Sequence, residues 1–104
     1  MIEFRYCVTS FENVILECSG HAGYAEFGKD IVCAGASTLM SAAREALQRY
    51  DEKRYNEEIR DGYVKLRCRF TPETAAVART VICGMEWISA QHPKILTCEP
   101  FKKN

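Results

Sequence analysis

The period of the apolar residues switches repeatedly along this chain, and those switches constrain the fold more than any single residue does. Ile2, Phe4, Tyr6 and Val8 alternate with Glu3, Arg5, Cys7 and Thr9, the two-residue period of a half-buried strand. A short turn at residues 10–13 leads to a second strand over 14–19, so the pair reads as an antiparallel hairpin. From Ile31 the period lengthens: Ala36, Leu39, Met40, Ala43, Leu47 and Tyr50 recur at helical spacing, and the helix fades in the charged run at 51–54. Residues 55–60 read as a strand. Asp61-Gly62 is the dipeptide of a two-residue hairpin turn, whose central positions need positive φ. Val64, Leu66, Cys68 and Phe70 then alternate with Tyr63, Lys65, Arg67 and Arg69. Thr71-Pro72-Glu73 starts a second helix, with a hydroxyl cap, proline at the first helical position and an acid behind it. Its buried stripe is Val77, Val81, Ile82, Met85 and Ile88, and His92-Pro93 ends it. Residues 94–101 read as a last strand.

The order ββαββαβ predicts an α+β fold: a two-layer sandwich of one mostly antiparallel sheet with both helices on one face. At 104 residues the chain is expected to form a single domain over 1–104. Net charge is zero, which argues against broad electrostatic binding to nucleic acid or an anionic membrane. Lys65, Arg67 and Arg69 form a local basic strip, read as a solvated sheet face. No stretch has the apolar length to span a bilayer, and the first residues alternate like a strand rather than a signal peptide. The expected compartment is therefore the cytoplasm, and the six cysteines read as thiols.

The chemistry concentrates in residues 20–37. His21 and Cys33 flank a loop carrying Gly23 and Gly28, with Gly20 just before it, and Cys33 falls in the first turn of the first helix. The thiolate is the reactive form of cysteine, and a helix amino terminus beside an imidazole favours it. Asp30 reads as the helix cap, the alternative being a third member orienting His21. With that cap, Cys33 is the third helical residue, and the backbone amides of Cys33 and Ala34 are candidate donors to an oxyanion. Ser37, one turn on, either hydrogen-bonds near the thiolate or satisfies a backbone carbonyl. Ala22, Gly23, Tyr24, Phe27 and Gly28 form a loop suited to folding over a peptide. Cys7, Cys18, Cys68, Cys83 and Cys98 lie inside predicted elements and read as small apolar residues. His92 reads as a histidine facing the negative end of the second helix. Trp87 is not required by the apolar stripe and reads as an interface residue.

Three competing chemistries are weaker. Residues 23–30 nearly match G-x-x-x-x-G-K-[ST], but Asp30 stands where a hydroxyl is needed and Glu26 adds a second acid. Cys18 and His21 have zinc-ligand spacing, with Cys33 as a candidate third ligand, but no C-x-x-C supplies a fourth. Redox chemistry lacks a resolving cysteine beside Cys33 in the sequence. No cofactor or metal is expected.

The run G-H-A-x-Y…G-x-D-I-V-C-A…S, from Gly20 to Ser37, resembles the signature of the ribosomal-processing cysteine protease family, Prp, and the resemblance extends over the whole chain. It implies a small bacterial cysteine protease that removes the N-terminal extension of large-subunit ribosomal protein twenty-seven during ribosome assembly. By position His21 matches the family's catalytic histidine and Cys33 its nucleophile, while Gly20, Asp30 and Ser37 match supporting positions. A two-layer fold, a homodimer and a mobile active-site loop are implied in the same way. Gly35 stands where the family usually has a bulkier residue, and a glycine within a helix costs about 1 kcal/mol relative to alanine. The alternatives are a non-enzymatic ribosome-associated peptide-binding module and a zinc-binding domain.

Overall fold

The expected amino-terminal hairpin forms from β1 (Ile2–Val8) and β2 (Asn13–Ser19), paired antiparallel with Phe4 opposite Cys18. The protein is seen here as a computed structural model that describes residues 1–11, 13–20 and 29–101, with Lys29 and Asp30 described in their backbone alone. After the hairpin come α1 (Lys29–Tyr50), β3 (Asn56–Arg60), β4 (Tyr63–Arg69), α2 (Pro72–Gln91) and β5 (Leu96–Pro100). The five strands make one mixed sheet in the order β3-β4-β2-β1-β5. Only β1 and β5 run parallel, because α2 carries the chain back across the sheet before β5 begins. The fold is α+β, as the ββαββαβ order requires.

Alternation decides which side of the sheet is dry. Ile2, Phe4, Val14, Leu16, Leu66, Cys68 and Leu96 point to the helix layer and are buried with Val32, Ala36, Met40, Ala43 and Leu47 of α1 and Ala78, Val81, Ile82 and Met85 of α2. Burying such side chains contributes about 1.5–3 kcal/mol each for the larger ones. The helices cross closely. A Cβ on Gly84 would meet Leu39 Cδ1 at 2.8 Å, and one on Gly35 would meet Ile88 Cδ1 at 3.3 Å. Gly35 therefore has a packing reason: it leaves room for Ile88 of α2.

Two carboxylates pin α1 to the sheet edge. The buried Asp51, just past α1, accepts the Arg69 backbone N–H (2.8 Å) and the Arg69 Nε (3.0 Å) and Nη2 (2.6 Å). Those hydrogen bonds from Arg69 hold its carboxyl below the usual range. They also draw Arg69 out of the basic strip on the outer face. Glu57 of β3 accepts from Arg44 Nε and Nη2 (both 2.8 Å), Gln48 Nε2 (3.0 Å) and Tyr55 OH (2.7 Å). Hydrogen bonding to Arg44, then to Tyr55, lowers the Glu57 carboxyl to about 2.

Replacing Asp51 tests this pinning. Asp51→Ala leaves the Arg69 amide without its acceptor and lowers stability by about 3 kcal/mol, while Asp51→Asn, which keeps an acceptor oxygen, costs less. Urea unfolding of the three proteins measures both. A loss below about 1 kcal/mol in the alanine variant would mean that water replaces the carboxylate there.

The second helix begins as its sequence predicts. Thr71 accepts from the Thr74 N–H (3.1 Å), and Thr74 Oγ1 accepts from the Thr71 N–H (2.8 Å), a reciprocal cap ahead of Pro72. No described helix is long and apolar enough to cross a membrane.

Candidate active site

Cys33 is the fifth residue of α1, not the third, because the helix begins at Lys29. Asp30 is thus a first-turn residue rather than the cap. An acid there still lies at the positive end of the helix dipole. A helix starting at Lys29 also shifts which amides are free. In a regular helix the N–H groups of residues 33 and 34 donate to the carbonyls of residues 29 and 30, so the unpaired donors belong to residues 29–31. The Ala34 amide is therefore spent within the helix rather than free for an oxyanion. The Ala34 carbonyl, in turn, accepts from Thr38 Oγ1 (2.8 Å). Helical side chains lean toward the amino terminus, so Cys33 leans over the turn that carries the free donors.

Cys33 is partly buried at the margin of the core and opens on a groove of about 420 Å³. One wall comes from α1: Cys33, Ala36, Ser37, Met40, Ser41 and Arg44 line it. Their spacing is that of a single helix face. At 1.5 Å per residue, that face runs about 16 Å from Cys33 to Arg44. An extended peptide of roughly five residues covers the same distance. The opposite wall is the tip of the β3–β4 hairpin, with Ile59, Gly62 and Val64, and the near end is formed by Ile2, Cys18 and Gly20. Arg44 also holds Glu57, so the ion pair that ties α1 to β3 stands at the groove's far end. Ser37 is exposed and faces this groove one turn beyond Cys33.

Gly20 closes the near end and sets where the next residue begins. Its φ is +99°, and a Cβ there would collide with the carbonyl oxygen of Met1. Its N–H donates to the Gly62 carbonyl (2.8 Å), which locks the end of β2 to the β3–β4 turn. Gly62 has φ +70°, the left-handed conformation expected of the Asp61-Gly62 turn. His21 and the loop residues Ala22, Gly23, Tyr24, Phe27 and Gly28 lie outside the described residues.

The other thiols sort by environment. All six cysteines are free. Burial pushes Cys68 and Cys98 up to about 11. Cys18 is also pushed up to about 11, first by burial and then by the nearby charges of Cys33 and Glu17. Cys18 was read as a small apolar residue, and it does pack against the core. It also shares the groove with Cys33: β2 places it opposite Phe4 and Val64 on the helix-facing side. Among the described residues, no group of three or more histidine, cysteine or acidic side chains is placed to hold a metal. The zinc reading depends on His21, outside those residues.

Comparison with known proteins gives one family and one fold. The sequence model of the family described as cysteine protease Prp matches residues 1–97. The essential ribosomal processing protease Prp from S. aureus, in complex with a covalently linked product peptide, superposes with a TM-score of 0.81 at 24% identity, covering 97% of this chain and 100% of that one. The same protease in complex with a substrate peptide gives 0.80 at 23%, with the same coverage. A Streptococcus mutans protein gives 0.78 at 23%, covering 99% of this chain and 96% of that one. At these identities the structures establish the shared fold. No curated protein matches the chain in sequence.

Proposed function

From the premise that the chain belongs to the cysteine protease Prp family, and is a cysteine protease, we propose that Cys33 is its nucleophile and His21 its general base and acid. We propose as substrate the N-terminal extension of large-subunit ribosomal protein twenty-seven, removed during ribosome assembly. The observation that carries this reading is the groove along α1 that begins at Cys33 and is long enough for a short extended peptide. The S. aureus relative's complexes with substrate and product peptides support a peptide as the ligand.

In this mechanism the Cys33 thiolate attacks the scissile carbonyl carbon. The resulting oxyanion is held by the unpaired amides of the first turn of α1, where the helix dipole also favours negative charge. His21 delivers a proton to the leaving amine as the C–N bond breaks, leaving an acyl group on sulfur. Water, deprotonated by His21, then attacks the thioester and releases Cys33. Ser37 borders the peptide path. The enzyme acts in the cytoplasm as a homodimer, for which the two-thirds-exposed Trp87 on α2 offers an apolar contact.

His21→Ala tests the base. Cleavage of a peptide spanning the extension junction drops by about 10²–10⁴-fold, the usual contribution of a positioned acid–base group. Wild-type turnover in that variant would remove His21 from the mechanism.

A further inference from the structure

Two thiols, not one, open on the groove. Cys33 comes from α1, and Cys18 comes from the helix-facing side of β2, beneath the start of that helix. They are the two cysteines among the described residues that line it, and both pack against the same edge of the core. Cys18 has no part in the peptide-cleavage steps. It holds its proton at neutral pH, so it does not compete with Cys33 as a nucleophile while Cys33 is reduced.

We infer that Cys18 is the resolving partner of Cys33 in a reversible oxidative switch, in which peroxide closes a Cys18–Cys33 disulfide across the groove and a thiol reductant reopens it. The inference rests on the reading of Cys33 as the reactive thiolate. In the first step the Cys33 sulfur attacks one oxygen of hydrogen peroxide. The O–O bond breaks, hydroxide leaves and is protonated to water, and Cys33 becomes a sulfenic acid. In the second step the Cys18 sulfur, having lost its proton, attacks the Cys33 sulfur. The S–O bond breaks, a second water leaves, and the S–S bond forms. Two electrons pass from the sulfur pair to one peroxide. The closed form has no nucleophile, and its groove is bridged at the entrance. Without a resolving thiol the sulfenic acid goes on to the irreversible sulfinic and sulfonic acids. Cys18 thus protects the enzyme as well as pausing it.

The test is peroxide treatment of the whole protein, read by intact mass and by peptide mapping, on wild type, Cys18→Ser and Cys18→Ala. Wild type loses about 2 Da, yields a linked peptide pair containing Cys18 and Cys33, and returns to its starting mass with dithiothreitol. Closure accelerates as pH rises toward 10, because the resolving step needs the Cys18 thiolate. Both Cys18 variants instead gain oxygen at Cys33, and dithiothreitol does not restore them after excess peroxide. The inference is overturned if wild type gains oxygen as the variants do, or if the linked pair joins Cys33 to another cysteine. These readings are masses, independent of hydrolysis. Absence of peptide cleavage alongside a normal Cys18–Cys33 bridge would count against the proposed protease mechanism and leave the switch standing.

Discussion

Cys33→Ala leaves the fold intact and stops peptide cleavage, with kcat/KM falling by on the order of 10⁴-fold or more. Both halves follow from where the residue sits. Its side chain is only partly buried, at the edge of the core rather than within it, and alanine is the strongest helix former. Stability therefore shifts little, by about 1 kcal/mol at most. Catalysis, in contrast, loses the atom proposed to form the covalent intermediate. A thermal melt checks the first half and product formation from the junction peptide checks the second. Residual cleavage within tenfold of wild type would place the nucleophile elsewhere.

Gly20→Ala has the second largest effect, and it acts on stability and activity together. A side chain at φ +99° is strained by about 1–2 kcal/mol before any contact is counted. The new methyl also meets the Met1 carbonyl. That backbone has little freedom to move away, because the adjoining Ile2 is 2% exposed and its N–H donates to the Ile95 carbonyl (2.7 Å). The expected loss is about 3 kcal/mol or more. His21, the proposed base, is the next residue in the chain, so a backbone shift that relieves the collision carries over to it. Cleavage then falls at least tenfold even at temperatures where the variant is folded. Gly62→Ala, at φ +70° in the neighbouring turn, provides a comparison for the cost of a positive φ. If Gly20→Ala melts and turns over like wild type, the near end of the groove is not as rigid as described.

The legible parts of this fold were those governed by local rules. Period-two alternation marked β1 and β4, Asp61-Gly62 marked the turn between β3 and β4, and Thr71-Pro72 marked the start of α2. The start of α1 was misread at Asp30. A cap residue is recognised by the apolar period that follows it, and the residues before Ile31 are glycine-rich and carry no such period. The charged run after Tyr50 marked only where the helix fades; that Asp51 is 2% exposed had no local signal, because its partner Arg69 lies 18 positions away. Cys18 and Cys33 were grouped in the sequence only as candidate zinc ligands; that they line one groove follows from β2 lying beside β4, a long-range arrangement. The place of Cys33 near the start of α1 was legible because a glycine-rich run leading into a helix is a local feature.

Rapid acid quenching of the enzyme during turnover of the junction peptide, followed by intact-mass measurement and mapping, addresses the central claim most directly. The expected result is an acyl adduct on Cys33, equal in mass to the amino-terminal product less water, absent from Cys33→Ala. An adduct on another residue, or cleavage by wild type and Cys33→Ala at the same rate, would contradict it.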